Sequence, residues 1–82
     1  MCWLYILRSE SDNSFYIGIT SDIERRLLEH NERSTEKYTS KKRPWALVFS
    51  KKYSTRREAM QEEHRLKQCK NRAYLMWYIS TP

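Results

Sequence analysis

Gly18 is the only glycine among 82 residues, so this chain has one position where the backbone carries no side chain at all. Glycine is used where a chain turns sharply or where another group must come close. Here it follows Tyr16-Ile17 in a short apolar run, Phe15 to Ile19. An earlier run, Cys2 to Arg8, is equally rich in aromatic and aliphatic residues, and the polar cluster Ser9-Glu10-Ser11-Asp12-Asn13-Ser14 separates the two. Two apolar runs around a turn cluster predict a β-hairpin with Gly18 near its end. Such a hairpin brings Tyr5 and Tyr16 into one neighbourhood.

The remaining segments follow from the same signals. Thr20-Ser21-Asp22 offers an N-cap, with Glu24 completing a capping box with Ser21, so a helix is expected from about Asp22 to about Glu32. The polar, basic stretch from Asn31 to Pro44 reads as a loop, and Trp45 to Ser50 as a third strand. Thr55 and Glu58 form a second capping box, opening a helix that should reach about Lys70. Asn71 is suited to end it, because asparagine tolerates the left-handed conformation found at helix C-termini. Arg72 to Ile79 then forms a last helix. The expected fold is α/β (α+β), ordered ββαβαα, with a small three-stranded, mainly antiparallel sheet flanked by helices. One domain spanning residues 1–82 is expected at this length.

Composition selects a class of partner. Sixteen Lys and Arg against ten acids give +6, and the pI is near 9.6 with a mean hydropathy of -0.93. Phosphate neutralisation favours polyanion binding by such a chain, although many small basic proteins bind nothing specific. No apolar run approaches the roughly 20 residues that span a bilayer. The first residues are too short and too aromatic for a secretory leader, and a cytoplasmic location is expected. Cys2 and Cys69 match no zinc spacing and are read as reduced thiols.

Two helical faces are broken by charge. Ile23, Arg26, Leu27 and His30 fall at i, i+3, i+4 and i+7, so Arg26 and His30 share the stripe facing the protein body. In the next helix, Ala59, Met60 and Leu66 mark the apolar face, and Glu63 projects near its centre while Glu62 lies at its margin. Burying an unpaired charge is costly. An ion pair between Arg26 and Glu63 explains both residues, and so does a site in which Glu63 binds a metal. Hydrolysis of a phosphodiester uses the same parts: a cation for the non-bridging oxygens, a metal and a base for water. A single carboxylate suits Mg²⁺, which keeps several waters and takes phosphate oxygens as further ligands.

The ordered set resembles the GIY-YIG nuclease family. The resemblance runs from Trp3-Leu4-Tyr5 through Tyr16-Ile17-Gly18-Ile19-Thr20 and Asp22 to Asn31, then Lys37-Tyr38-Thr39, Arg43-Pro44 and Glu58 to Lys67. It is similar to small stand-alone bacterial members and to the catalytic domains of phage intron homing endonucleases and of the bacterial excision-repair incision subunit. The resemblance implies that Tyr5 and Tyr16 are the motif tyrosines and Gly18 the motif glycine. It further implies that Arg26 contacts the scissile phosphate, that His30 takes part in proton transfer and that Glu63 binds one divalent ion, Mg²⁺ or Mn²⁺. Tyr38 matches a recurrent aromatic. Trp3-Leu4 stands where the motif has Gly-Ile, and Ile19 where the repair branch carries a lysine thought to help activate the tyrosine.

Without that lysine, His30 is favoured as base. Free tyrosine is about 0.1% ionised at pH 7, whereas free histidine is already mostly neutral. Tyr16 then orients water or phosphate, and a lowered tyrosine pKa would reverse the roles. Lys41, Lys42, Arg43, Lys51 and Lys52 cluster around the third strand and are expected either to track a nucleic-acid backbone or simply to form a solvated face. The expected activity is a structure-directed or weakly specific endonuclease, with DNA ahead of RNA as partner. A non-catalytic nucleic-acid-binding module of the same fold is the alternative.

Overall fold

The central strand, β1 (Cys2–Ser9), carries the densest apolar run and pairs antiparallel with both its neighbours, β2 (Phe15–Thr20) and β3 (Trp45–Tyr53). This computed structural model describes residues 1–32, 42–69 and 71–80. Three helices complete the described residues, α1 (Ile23–Glu32), α2 (Arg56–Gln68) and α3 (Arg72–Ser80), in the expected ββαβαα order. The sheet order is β2-β1-β3. Tyr38 and Lys41 lie outside the described residues. No helix among the described residues is long and apolar enough to cross a membrane.

Strand alternation divides the side chains between two faces. Tyr5, Leu7 and Trp45 pack with Tyr16, Ile23 and Leu27 beneath α1. Leu4, Ile6 and Ile17 pack with Leu66 of α2 and with Tyr74, Leu75, Tyr78 and Ile79 of α3 on the other face. Leu66 is 1% exposed, and truncating such a leucine to alanine costs about 2–5 kcal/mol. The register slips between Ile6 and Leu7: Ile6 faces Phe49, but Leu7 faces Leu47. The extra residue, Val48, is a β-bulge. Without it, Trp45 would stand opposite Glu10 and point to the α2 and α3 face. The bulge therefore delivers Trp45 to the face that holds the tyrosines.

Gly18 does not make the turn. Asn13 takes the left-handed conformation there, with φ of 64°, and Ser9 organises the loop. The buried Ser9 Oγ accepts from the amides of Ser11 and Asp12 at 3.1 and 3.3 Å and donates to the Lys42 carbonyl at 2.6 Å. Gly18 instead pairs with Tyr5 across the sheet. A Cβ at position 18 would lie 2.5 Å from Tyr5 Oη and 2.7 Å from Cζ. The tyrosine ring occupies the space of the missing side chain, so the glycine serves close approach.

Several boundaries differ from expectation for local reasons. Asp22, rather than Ser21, caps α1, its Oδ1 accepting from the Arg25 amide at 3.1 Å. Thr55 caps α2 as expected and accepts from the Glu58 amide at 3.2 Å, and its hydroxyl also donates to the Glu58 carboxylate at 3.1 Å. β3 continues three residues beyond Ser50, to Tyr53. Asn71 opens α3 instead of closing α2, its Oδ1 accepting from the Tyr74 amide at 3.2 Å. Met60 is 48% exposed, so the buried stripe of α2 is Ala59 and Leu66, flanked by Glu62 and Glu63.

Glu62 holds α3 in place. Its two oxygens accept from Arg65 Nε and Nη2 at 2.7 and 2.8 Å, and Tyr78 donates to it at 2.7 Å. Arg65 also donates to Tyr74 at 2.9 Å. The Arg65 hydrogen bonds hold the Glu62 carboxyl below its ordinary value of 4.5, while burial and the neighbouring carboxylate push the Tyr78 phenol up.

Gly18→Ala should cost about 1–3 kcal/mol by overpacking in urea denaturation, and clearly less in a Tyr5→Ala background; equal costs would refute the close-approach role. Because folding lowers the Glu62 pKa, its contribution is present above pH 4.5 and is lost as pH falls through the folded value. Glu62→Gln should lower stability by about 0.5–1 kcal/mol at pH 7, with the difference from wild type shrinking in acid. A difference that grows in acid would contradict the assignment.

Candidate active site

Strand pairing, rather than chain proximity, assembles the site. Tyr5 on β1 and Tyr16 on β2 emerge on the α1 face with ring centroids 6.3 Å apart. α1 crosses the same face and presents Arg26 and His30 one turn apart, as the stripe predicts. His30 is 3% exposed, and its ring meets the Tyr16 ring edge-on at 4.6 Å. Its Nε2 lies 3.2 Å from Tyr5 Oη. Arg26 Nε donates to the same Tyr5 oxygen at 3.3 Å, and Nη1 donates to Glu29 at 3.2 Å.

Tyr5 Oη is therefore held between a cation and an imidazole. Arginine only donates, so the phenol oxygen accepts from Arg26, and the direction of its bond to His30 Nε2 is set by the imidazole tautomer. The Arg26 guanidinium is held above its usual range, first by the Tyr5 hydroxyl and then by Glu29, against the opposing effect of burial. The Tyr16 hydroxyl adds to that hold. Arg26 is thus a fixed cation, about one third exposed (34%), bound to the tyrosine pair.

Behind this group lies a clamp that sequence reasoning missed. The Asn31 side chain bonds both backbone groups of Trp45: Nδ2 donates to the carbonyl at 3.1 Å, and Oδ1 accepts from the amide at 2.6 Å. The Trp45 ring in turn packs 6.1 Å from Tyr16 and 6.5 Å from His30. Asn31 thereby fixes the end of α1 against the start of β3. The only hint in the chain was an asparagine adjoining His30.

Glu63 enters from the other layer. It stands on α2, which packs against the opposite sheet face, and its carboxylate pairs with Lys67 at 3.3 Å. Among the described residues, no ion pair joins Arg26 to Glu63: Arg26 pairs with Glu29, and Glu63 with Lys67. The ion-pair reading of these two residues is set aside. Tyr5, Tyr16, Arg26 and His30 form one contact network with Gly18 beneath Tyr5, and Glu63 is not part of it. No group of three His, Cys, Asp or Glu side chains occurs among the described residues. A lone carboxylate, 21% exposed, offers hard oxygen donors and fits a cation that keeps most of its waters.

The basic residues divide. Lys42 Nζ is committed to the hairpin turn, 2.6 Å from Asp12 and 3.0 Å from Ser14 Oγ. Arg43 donates to the Asn31 carbonyl at 3.0 Å. Lys51 and Lys52 are exposed on β3.

A central tyrosine pair on a hairpin, with Arg and His supplied by the following helix, defines a class. Residues 1–76 match the GIY-YIG catalytic domain, and the chain belongs to the GIY-YIG family, whose domains are generally nucleases. A UPF0213 protein of Bacillus velezensis is 48% identical over 58 residues, 71% of this chain and 59% of that protein. The UPF0213 protein YazA of Bacillus subtilis is 42% identical over 65 residues, 79% of this chain and 65% of YazA. The chain thus spans less than two thirds of these relatives' length. The solution NMR structure of a UPF0213 protein from Bacillus halodurans is similar at a TM-score of 0.61 and 32% identity, over 98% of this chain and 84% of that one.

Asn31→Ala should release Trp45 and loosen His30. We expect a loss of about 1–3 kcal/mol in thermal or urea unfolding, from two hydrogen bonds to partly buried groups. Broadened ring resonances of His30 and Tyr16 in NMR spectra should accompany it. Unchanged stability together with unchanged ring resonances would contradict the clamp.

Proposed function

We propose that this protein is a divalent-metal-dependent endonuclease that hydrolyses nucleic-acid phosphodiester bonds, DNA in preference to RNA, with little sequence specificity. The observation that carries the reading is the placement of Tyr5 Oη between Arg26 Nε and His30 Nε2. A structural ion-pair site would pair Arg26 with Glu63; this arrangement instead gives the cation and the histidine a shared phenol.

In the proposed reaction, the oxygen of water attacks phosphorus and the bond to the leaving oxygen breaks. Arg26 faces the non-bridging oxygens and offsets the charge that builds on them. Tyr16, the more exposed of the two tyrosines, orients the water. A proton passes from water to the Tyr5 oxygen as the Tyr5 proton passes to His30 Nε2. Arg26 favours the loss of the Tyr5 proton to His30 by stabilising the phenolate oxygen. His30 thus acts as base through Tyr5. Glu63 would hold Mg²⁺ or Mn²⁺, which when bound would supply charge neutralisation to nucleic-acid phosphate oxygens.

Single-turnover cleavage of labelled duplex, flap and single-stranded DNA with Mg²⁺ or Mn²⁺ tests the proposal. Arg26→Ala should slow cleavage by about 10²–10³-fold, the effect of removing one transition-state donor. Glu63→Ala should abolish metal-dependent cleavage while leaving the fold intact. Cleavage that persists unchanged in Glu63→Ala would overturn the metal assignment. Salt-sensitive binding with no cleavage of any substrate would favour the non-catalytic module.

A further inference from the structure

The β2 edge of the sheet carries an open groove of about 510 Å³ between β2 and the α2–α3 junction. Its floor is apolar, formed by Phe15, Leu66 and Leu75, and Lys67 and Arg72 stand among its lining residues. Tyr16 also lines it, although its ring packs on the α1 face, so the groove and the tyrosine pair share the β2 edge strand. Lys67 is the partner of Glu63. The groove therefore runs between β2, which carries Tyr16, and α2, which carries Glu63.

Arg72 is the informative residue. Its guanidinium carbon lies 4.7 Å from the Phe15 ring centroid. Stacking on a ring fixes the plane of the guanidinium but leaves its in-plane N–H donors unused. No carboxylate or carbonyl partner engages that guanidinium among the described residues. Arg65, one helix earlier, is fully engaged by Glu62 and Tyr74. Lys42 and Arg43, expected from sequence to track the backbone, are tied to Asp12 and to the Asn31 carbonyl. A planar cation held in place with its donors open is suited to bidentate recognition of phosphate.

We infer that a nucleic-acid strand leaving the candidate centre at Tyr16 follows this groove along β2, with Arg72 holding a backbone phosphate that flanks the scissile one. The apolar floor receives the sugar and base, and the complementary charge comes from Arg72 and Lys67. This inference rests on the nuclease reading above and adds the path of the strand and the residue that anchors it.

Fluorescence anisotropy with labelled DNA oligonucleotides, in EDTA and across a salt series, tests it without recourse to cleavage. Arg72→Glu is compared with Lys52→Glu, which makes the same charge change at an exposed position on β3, at the sheet edge opposite β2. Arg72→Glu should weaken binding at least tenfold more than Lys52→Glu, and Arg72→Gln should lower the slope of log K against log salt by about 1. Melting curves establish that each variant is folded. Equal losses for Arg72→Glu and Lys52→Glu would overturn the groove while leaving the nuclease reading standing. Wild-type protein that binds no oligonucleotide would overturn both.

Discussion

The contact on which the rest of the site depends is the packing of the Tyr5 ring into the space of the side chain that Gly18 lacks. β1 and β2 are in register at these two residues, and Cε1, Cζ and Oη of the ring fill the space beside Gly18. That position carries Oη to the one place where Arg26 Nε and His30 Nε2 both reach it, at 3.3 and 3.2 Å. A side chain at position 18 would lift the ring and separate the phenol from both partners. One methyl group on the hairpin would therefore be felt as a chemical change on α1.

The surrounding packing serves the same end. The bulge at Val48 turns Trp45 onto the tyrosine face, and Asn31 locks that residue by both backbone groups. His30 is left against the Tyr16 and Trp45 rings, which limits its freedom to swing away from Tyr5. On the opposite face, the Glu62, Arg65, Tyr74 and Tyr78 cluster ties α3 to α2. That tie gives the groove beside β2 a defined wall and sets Arg72 over Phe15. The two layers meet at the β2 edge, where Tyr16 and Lys67 line one groove.

Much of this was legible in the sequence where it depends on local periodicity. Alternation and a turn cluster are enough to recognise the hairpin, and the i, i+3, i+4, i+7 pattern is enough to place Arg26 and His30 on the inner face of α1. Periodicity says which way a residue points, not what it meets. Periodicity thus places Glu63 near the inner face of α2 without disclosing its partner, Lys67 one turn on. Apolar character alone points Met60 inward, yet it lies 48% exposed. The Asn31–Trp45 clamp and the bulge depend on residues fourteen or more positions apart meeting across the fold, and no local pattern records such pairs. Asparagine suits both ends of a helix, so the residue type alone does not distinguish a stop from the start that Asn71 makes.

The role given to the Tyr5 phenol is tested most directly by Tyr5→Phe, which keeps the ring in the Gly18 space and removes only the hydroxyl. The measurement is the single-turnover cleavage rate across pH, beside the melting temperature. A fall of at least 100-fold, about 2.7 kcal/mol at 1.36 kcal/mol per tenfold, with the fold retained is the expected result. A Tyr5→Phe variant that cleaves at the wild-type rate with an unchanged pH profile would contradict it.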